Sequence, residues 1–310
     1  MHTKLYGTIV SIGAILGLLA CGGTSTTDGG ITPEDGSPPD TGAPPTLPSE
    51  LGPADRRAPL TVPSAHDGVT PLPVVILLHG YSASGGAQEL YFGLRRAARR
   101  AGFFVIVPDG TRDAAGNRFW NATDVCCDFA NTGVDDVGYL IGLVDELESL
   151  TPVGRVFFMG HSNGGFMSYR MACEHADRVS GIATLAGSDF AEDDACVPER
   201  GIAVLHVHGD ADTTIRYEGG TLTGGAGTYP GAEAVTRRWA ERAGCDAEPT
   251  EGPTLDLESV LPGEETTTFA YSGCDEGAAE LWRIRDGSHI PSLQPDFSER
   301  VLTWLEEHTR

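Results

Sequence analysis

The chain has 310 residues and a net charge of -23, with 40% hydrophobic and 21% charged residues. That length suits one large α/β domain or two small ones, and that composition excludes a chain disordered throughout. So acidic a surface repels phosphate backbones, so nucleic acid is not an expected partner.

Lys4, the only lysine, precedes an apolar run from Leu5 to Leu19. The run is short for a membrane span and reads as the apolar core of a secretory signal over residues 1–20. It ends in Leu18-Leu19-Ala20-Cys21. That ending resembles the lipobox of bacterial lipoproteins, which would make Cys21 the lipidated first residue of an exported, envelope-anchored protein. Residues 21–55 are rich in Gly, Pro, Ser, Thr and Asp and lack apolar periodicity. They read as a solvated tether with a reach on the order of 30 Å. The folded domain is expected over residues 56–310.

Val74 to His79 is a short β-branched run of the kind that forms a buried strand. Ala87 to Ala101 has helical spacing, and Phe103 to Val107 is a second buried strand closed by Pro108. Residues 109–132 read as a long irregular loop. Val134 to Leu150 reads as a helix, with Asp135 and Asp136 in its first turn, where the helix dipole favours them. A strand at Arg155–Met159 and a helix at Gly164–His175 follow. Strands are then expected at Ile182–Leu185, Ala203–Val207 and Leu281–Ile284, with helices at Ala232–Ala243 and Phe297–Glu307. This alternation predicts an α/β fold with a mostly parallel central sheet and helices on both faces.

Between the third of these strands and its helix stands Gly160-His161-Ser162-Asn163-Gly164. A serine hydroxyl is a weak nucleophile near neutral pH and needs both exposure and a base. A Gly-x-Ser-x-Gly turn lifts the serine above the sheet and points a helix N-terminus at a developing oxyanion. Ser162 is therefore the nucleophile candidate. The acid in this arrangement follows a later strand, where Asp210 and Asp212 lie just past His208-Gly209, and the base comes last, where His289 precedes the final helix. The Asn163 N–H is one expected oxyanion donor. The loop after the first strand should give the second, from Tyr81 or, failing that, Ser82. His79 reads as structural, and His206 and His208 as strand histidines. A metal reading of His206-x-His208-x-Asp210-x-Asp212 is disfavoured, because Gly209 breaks the strand and the triad already accounts for the aspartates. No cofactor is called for.

Six cysteines remain beyond Cys21: Cys126, Cys127, Cys173, Cys196, Cys245 and Cys274. In an exported chain an even count without Cys-x-x-Cys pairs predicts three disulfides. Cys126 and Cys127 are expected to reach different partners, since neighbours bridge each other only with strain.

Several segments together resemble the polyhydroxybutyrate depolymerase and feruloyl esterase group of secreted α/β-hydrolases, the LpqC-like esterases. They are LLHGYSASG, the run from Trp120 through VCCDFANTGVDDVGYL, GHSNGGFMSYRMACEHADRV, HVHGDADTTIRYEGG, WAERAGC and the His289 segment. The likeness covers most of residues 70–305. It implies the α/β-hydrolase fold and ester hydrolysis through an acyl-serine, with Asp212 rather than Asp210 as the acid, and a Cys245–Cys274 bridge. Many members carry Gly-Gly-His-x-Trp-Pro-Gly around the base. Here the segment is Gly287-Ser288-His289-Ile290-Pro291-Ser292, without the tryptophan. Trp120, in the loop expected to border the pocket, is the candidate to stack on an aromatic acyl group or a sugar. The expected substrate is a feruloyl, hydroxyalkanoate or acetylated-polysaccharide ester. Acyl transfer on the same triad and a binding role on an inactive scaffold are the other readings.

Overall fold

The apolar runs at Val74, Phe103, Arg155, Ile182, Ala203 and Leu281 line up as neighbours in one sheet. The computed structural model describes residues 46–224 and 227–309, so the signal segment, Cys21 and most of the tether lie outside the described residues. In chain order the strands are β1 (Glu50–Leu51), β2 (Ala58–Thr61), β3 (Leu72–Leu78), β4 (Phe104–Ile106), β5 (Thr111–Arg112), β6 (Arg118–Phe119), β7 (Val153–His161), β8 (Val179–Leu185), β9 (Ala203–Gly209), β10 (Gly219–Gly220), β11 (Tyr229–Pro230), β12 (Thr250–Leu255), β13 (Thr266–Ala270) and β14 (Ala278–Ile284). The helices are α1 (Gly85–Phe92), α2 (Leu94–Ala101), α3 (Asp136–Leu150), α4 (Asn163–Glu174), α5 (Ala232–Arg242) and α6 (Phe297–Glu307).

The main sheet has ten strands in the order β1-β2-β4-β3-β7-β8-β9-β14-β13-β12. From β4 to β14 every pairing is parallel. The outer strands on both sides are antiparallel. Parallel strands need cover on both faces, and the alternation within β3 shows how it is provided. Val74, Ile76 and Leu78 pack with α3, α4 and α5, while Val75 and Leu77 pack with α2 and α6. The edge strands β12 and β13 carry few fully buried positions. They bury one face at most, so no continuous apolar run marks them in the sequence.

Two boundaries differ from expectation. The helix predicted over Ala87–Ala101 is two helices, because Gly93 adopts φ 63° and ends the first one through its N–H on the Glu89 carbonyl. The fold also begins before Arg56, since Leu51 is fully buried and Glu50–Leu51 pairs with β2. No helix among the described residues is long and apolar enough to cross a membrane.

Three disulfides are present. Cys173 pairs with Cys196 and Cys245 with Cys274. Cys126 pairs with Cys127 itself, which corrects the expectation of separate partners. Among the described residues the other four cysteines are joined in pairs. Cys126 and Cys127 belong to the 109–133 segment and are buried in the core.

Candidate active site

Strand β7 runs straight into α4, and Ser162 sits at the join with φ 54° and ψ -121°. That backbone is unfavourable for an L-residue and places the side chain at the tip of the turn. The turn closes only because its flanks lack a Cβ. One on Gly160 would overlap the Gly164 carbonyl, and one on Gly164 would overlap the Leu78 carbonyl.

His289 Nε2 lies 3.1 Å from Ser162 Oγ, and His289 Nδ1 lies 2.7 Å from Asp212 Oδ2. The pairing sets the protons. Nδ1–H donates to the carboxylate, and the bare Nε2 accepts from the serine hydroxyl. Asp212 Oδ1 accepts the N–H groups of Thr214 (2.7 Å) and Ile215 (3.0 Å). Burial alone would raise the pKa of Asp212, but the hydrogen bonds from His208 and His289 outweigh it and hold the carboxyl well below its usual range. Asp212 is therefore an anion that accepts two backbone N–H groups on Oδ1 and His289 on Oδ2.

The acid and base loops leave neighbouring strands, β9 and β14, and are stitched together. The Asp210 N–H donates to Ile284 O and the Ala211 N–H to Gly287 O, both at 3.0 Å. Asp210 Oδ1 accepts the Asp286 N–H at 2.7 Å, so the second aspartate fastens the turn that carries His289. His161 holds the same loop from the other side. Its Nε2–H donates to the His289 carbonyl at 2.9 Å. Burial pushes the pKa of His161 down to about 4, so it does this as a neutral ring.

On the oxyanion side, Gly80 lies directly against Ser162, and a Cβ there would stand 3.4 Å from the serine Cβ. Tyr81 follows, half exposed at 36%, with its hydroxyl donating to Asp113 and its ring edge on Phe129. Ser82 cannot serve as the alternative donor, because its N–H is already given to the Arg118 carbonyl at 2.8 Å. Asn163 opens α4, and its side chain clamps Trp120. Oδ1 accepts the Trp120 N–H at 2.7 Å and Nδ2 donates to Trp120 O at 3.0 Å.

Trp120 itself is a correction. It is completely buried, its indole N–H donates to the His79 carbonyl at 3.0 Å, and its ring lies against His79. It supports the loop from beneath and has no face to offer a ligand. His79 is a brace as well. It links Gly80 O to the Gly110 N–H, and burial lowers its pKa to about 4.

The His206, His208, Asp210 and Asp212 string does not converge on one point. His206 and His208 bond to each other, and Asp210 turns to residue 286. What the sequence does not single out is the support behind these side chains: His161 beside His289 and His208 behind Asp212, with Nε2 3.4 Å from Asp212 Oδ2. The signal was the alternation of His206 and His208 along a buried strand, which puts both rings on one face.

A family model for the alpha/beta hydrolase fold matches residues 73–216, spanning the oxyanion loop, the serine turn and the acid. This is an α/β-hydrolase fold. Acetyl xylan esterase from Aspergillus awamori shares it, with a TM-score of 0.56 and 16% identity over 83% of this chain and 98% of that one. Among curated proteins, Feruloyl esterase B of Piromyces equi is 28% identical over 243 residues, or 76% of this chain. Only 42% of that relative's length is spanned. Feruloyl esterase D of Neurospora crassa is 23% identical over 80% of this chain and 78% of its own.

Proposed function

We propose that the protein is an exported serine carboxylic-ester hydrolase that works through an acyl-enzyme. One observation carries the reading: an unbroken line from Ser162 Oγ to His289 (3.1 Å) to Asp212 (2.7 Å), on a strained strand-to-helix turn. Ser162 Oγ attacks the ester carbonyl while His289 Nε2 takes its proton. The new oxyanion faces the N–H of Asn163 at the start of α4 and that of Tyr81 in the loop after β3. As the tetrahedral intermediate collapses, His289 gives its proton to the departing alcohol and the acyl group stays on Ser162. Water then attacks the acyl carbonyl while His289 Nε2 takes its proton; His289 returns that proton to Ser162 Oγ as the C–Oγ bond breaks, and the carboxylic acid leaves. Asp212 keeps Nδ1 protonated throughout and stabilises the imidazolium that forms in each half-reaction.

The relatives named as feruloyl and acetyl xylan esterases favour an aromatic-acyl or acetyl ester of a polysaccharide as substrate. A hydroxyalkanoate polymer comes third, because the segment around His289 lacks the tryptophan that many members of the resembled group carry, which weighs against a polymer-specific site. Three disulfides support an oxidising compartment. With the Leu-Leu-Ala-Cys segment they favour an envelope protein tethered by lipid on Cys21.

The test is kcat/KM on methyl ferulate, acetylated xylan and a hydroxybutyrate oligomer, for wild type and Ser162→Ala. The expected result is one dominant substrate and a loss of about a million-fold in the variant. If both proteins are equally inert on all three and on a simple aryl ester, the esterase reading fails and a binding role takes its place.

A further inference from the structure

Behind Asp212, on the side away from Ser162, a line of polar side chains runs into the core, and none of the acyl-transfer steps uses it. Tyr169 on α4 lies 2.7 Å from His206 Nδ1, and Thr184 Oγ1 is 3.1 Å from the same nitrogen. His206 Nε2 is 2.9 Å from His208 Nδ1. His208 Nε2 is 2.8 Å from the Ile215 carbonyl and 3.4 Å from Asp212 Oδ2. Tyr169 and His206 are wholly buried, and His208 is 1% exposed.

With both rings neutral, the partners allow one arrangement of protons. The Ile215 carbonyl can only accept, so His208 Nε2 carries hydrogen. His208 Nδ1 is then bare and accepts from His206 Nε2–H. His206 Nδ1 is bare in turn and accepts the Tyr169 hydroxyl. Burial acts in the same sense, keeping the proton on Tyr169 and driving the pKa of His206 far below its ordinary value. Every donor points the same way, toward the acid. Hydrogen bonds in such a chain polarise one another, so each strengthens the next.

We infer that His208 is a positioning residue for Asp212, donating Nε2–H to the Ile215 carbonyl and the Asp212 carboxylate, and that His206 and Tyr169 fix the tautomer that makes this possible. The inference rests on the esterase reading above. Its physical content is orientation. Oδ2 receives His289 Nδ1–H on one side and faces His208 on the other, while Ile215 both donates its N–H to Oδ1 and anchors His208 through its carbonyl. The carboxylate therefore cannot rotate away from the base without breaking bonds on both oxygens. A strand histidine present only for packing would not need this one-way sequence of donors.

Other titratable groups face the pair from each surrounding element. Tyr217 sets its ring edge on His208, and Tyr229 and His161 lie within the field of Asp212. Arg283, opposite His208 in β14, turns to Phe269 and Asp210. None of these donates a hydrogen bond to the carboxylate, so the direct effect is assigned to His208.

The test compares His208→Asn with His208→Gln in the full-length protein. An asparagine amide reaches about as far as Nδ1 and abandons Ile215 and Asp212. A glutamine amide reaches Nε2 and restores the donor. With a short-chain aryl ester as probe, His208→Asn should lower kcat about 10- to 100-fold with KM little changed, the range typical for loss of an orienting partner behind a working group. A carboxylate that has lost a donor binds protons more readily, so the acid limb of kcat/KM should move to higher pH. The low-field proton resonance of His289 Nδ1–H should shift as well, a readout that needs no substrate. His208→Gln should return kcat, limb and resonance toward wild type.

The inference is overturned if the two variants behave alike, or if His208→Asn lowers the rate by one factor at every pH and leaves the resonance in place. Should His208→Asn not fold, Tyr169→Phe reads the chain from its far end. There the limb and resonance should move in the same direction by less, and no movement overturns the inference. Ser162→Ala separates the two claims. If it keeps wild-type activity on the aryl ester, the esterase reading fails. If it is inactive while the His208 variants match wild type, only the role of His208 fails.

Discussion

The two flanks of Ser162 are built differently. On the base side, the loops after β9 and β14 are sewn to each other by three hydrogen bonds between residues 210–211 and 284–287, and the polar side chains line up toward the carboxylate. On the oxyanion side, the 109–133 segment is held from below by large groups: buried Trp120, His79, the Cys126–Cys127 bridge and a buried ion pair. That pair joins Arg56 to Asp136 at 2.6 Å, with Arg56 stacked 3.8 Å over the Tyr139 ring and Asp136 also accepting the Asn121 N–H. One flank orders protons and the other orders backbone. Damage to the first should appear in rate, and damage to the second in stability.

The sharpest way to break that contrast is Asp212→Asn. An amide cannot hold His289 in the tautomer that leaves Nε2 bare, so kcat should fall by about 10⁴, while the urea midpoint stays near wild type. A collapse of the fold with the rate would show that the base side is scaffold too. Arg56→Ala is the reciprocal test. It strands Asp136 in the core, whose burial already raises its pKa against the pull of Arg56. The expected loss is about 3–5 kcal/mol of unfolding free energy, measured by urea denaturation, with KM and kcat of the folded fraction close to wild type.

A pH series sharpens the comparison, because each flank holds a buried histidine whose pKa burial lowers to about 4. His79 and His161 have native pKa values lowered to about 4, first of all by burial. The unfolded chain titrates these groups near 6.5. Between those values it binds more protons than the native state. Stability conferred by keeping the rings neutral is therefore complete above about pH 6.5 and lost as pH falls toward 4. His79→Gln and His161→Gln should each flatten this slope in denaturation curves taken across the window. An unchanged slope in both would mean that neither ring stays neutral in the native state.

The smallest effect is expected from Trp120→Phe. It removes the indole donor to the His79 carbonyl and should cost about 1–3 kcal/mol. KM for an aromatic ester should stay within about twofold, as a fully buried ring touches no substrate. A large rise in KM would restore Trp120 to the binding site.

Much of the frame could be read from the sequence. Continuous apolar runs marked the parallel strands, because a strand covered on both faces has no polar alternation to hide it. The Gly-x-Ser-x-Gly turn, the His-Gly-x-x-Asp turn and a late histidine carry local geometry in their residue types, and the structure brings Ser162, Asp212 and His289 within hydrogen-bond reach. The edge strands β12 and β13 escaped because they bury so little. Trp120 was misplaced because an aromatic residue in a pocket-side loop looks the same in sequence whether it faces the ligand or the core.

By itself, then, the sequence determined the alternation of elements and offered the candidate reactive side chains, since both follow from local periodicity, residue chemistry at turns and the family resemblance. Tertiary structure alone decided the partners of Cys126, Cys127, Cys173 and Cys196, which face of Trp120 is covered, which backbone N–H groups stay free for an oxyanion, and where the protons sit along Tyr169, His206 and His208. Those outcomes depend on groups far apart in the chain that meet only when the sheet closes, and hydrogen bonding is set by who is within about 3 Å rather than by who is next in line.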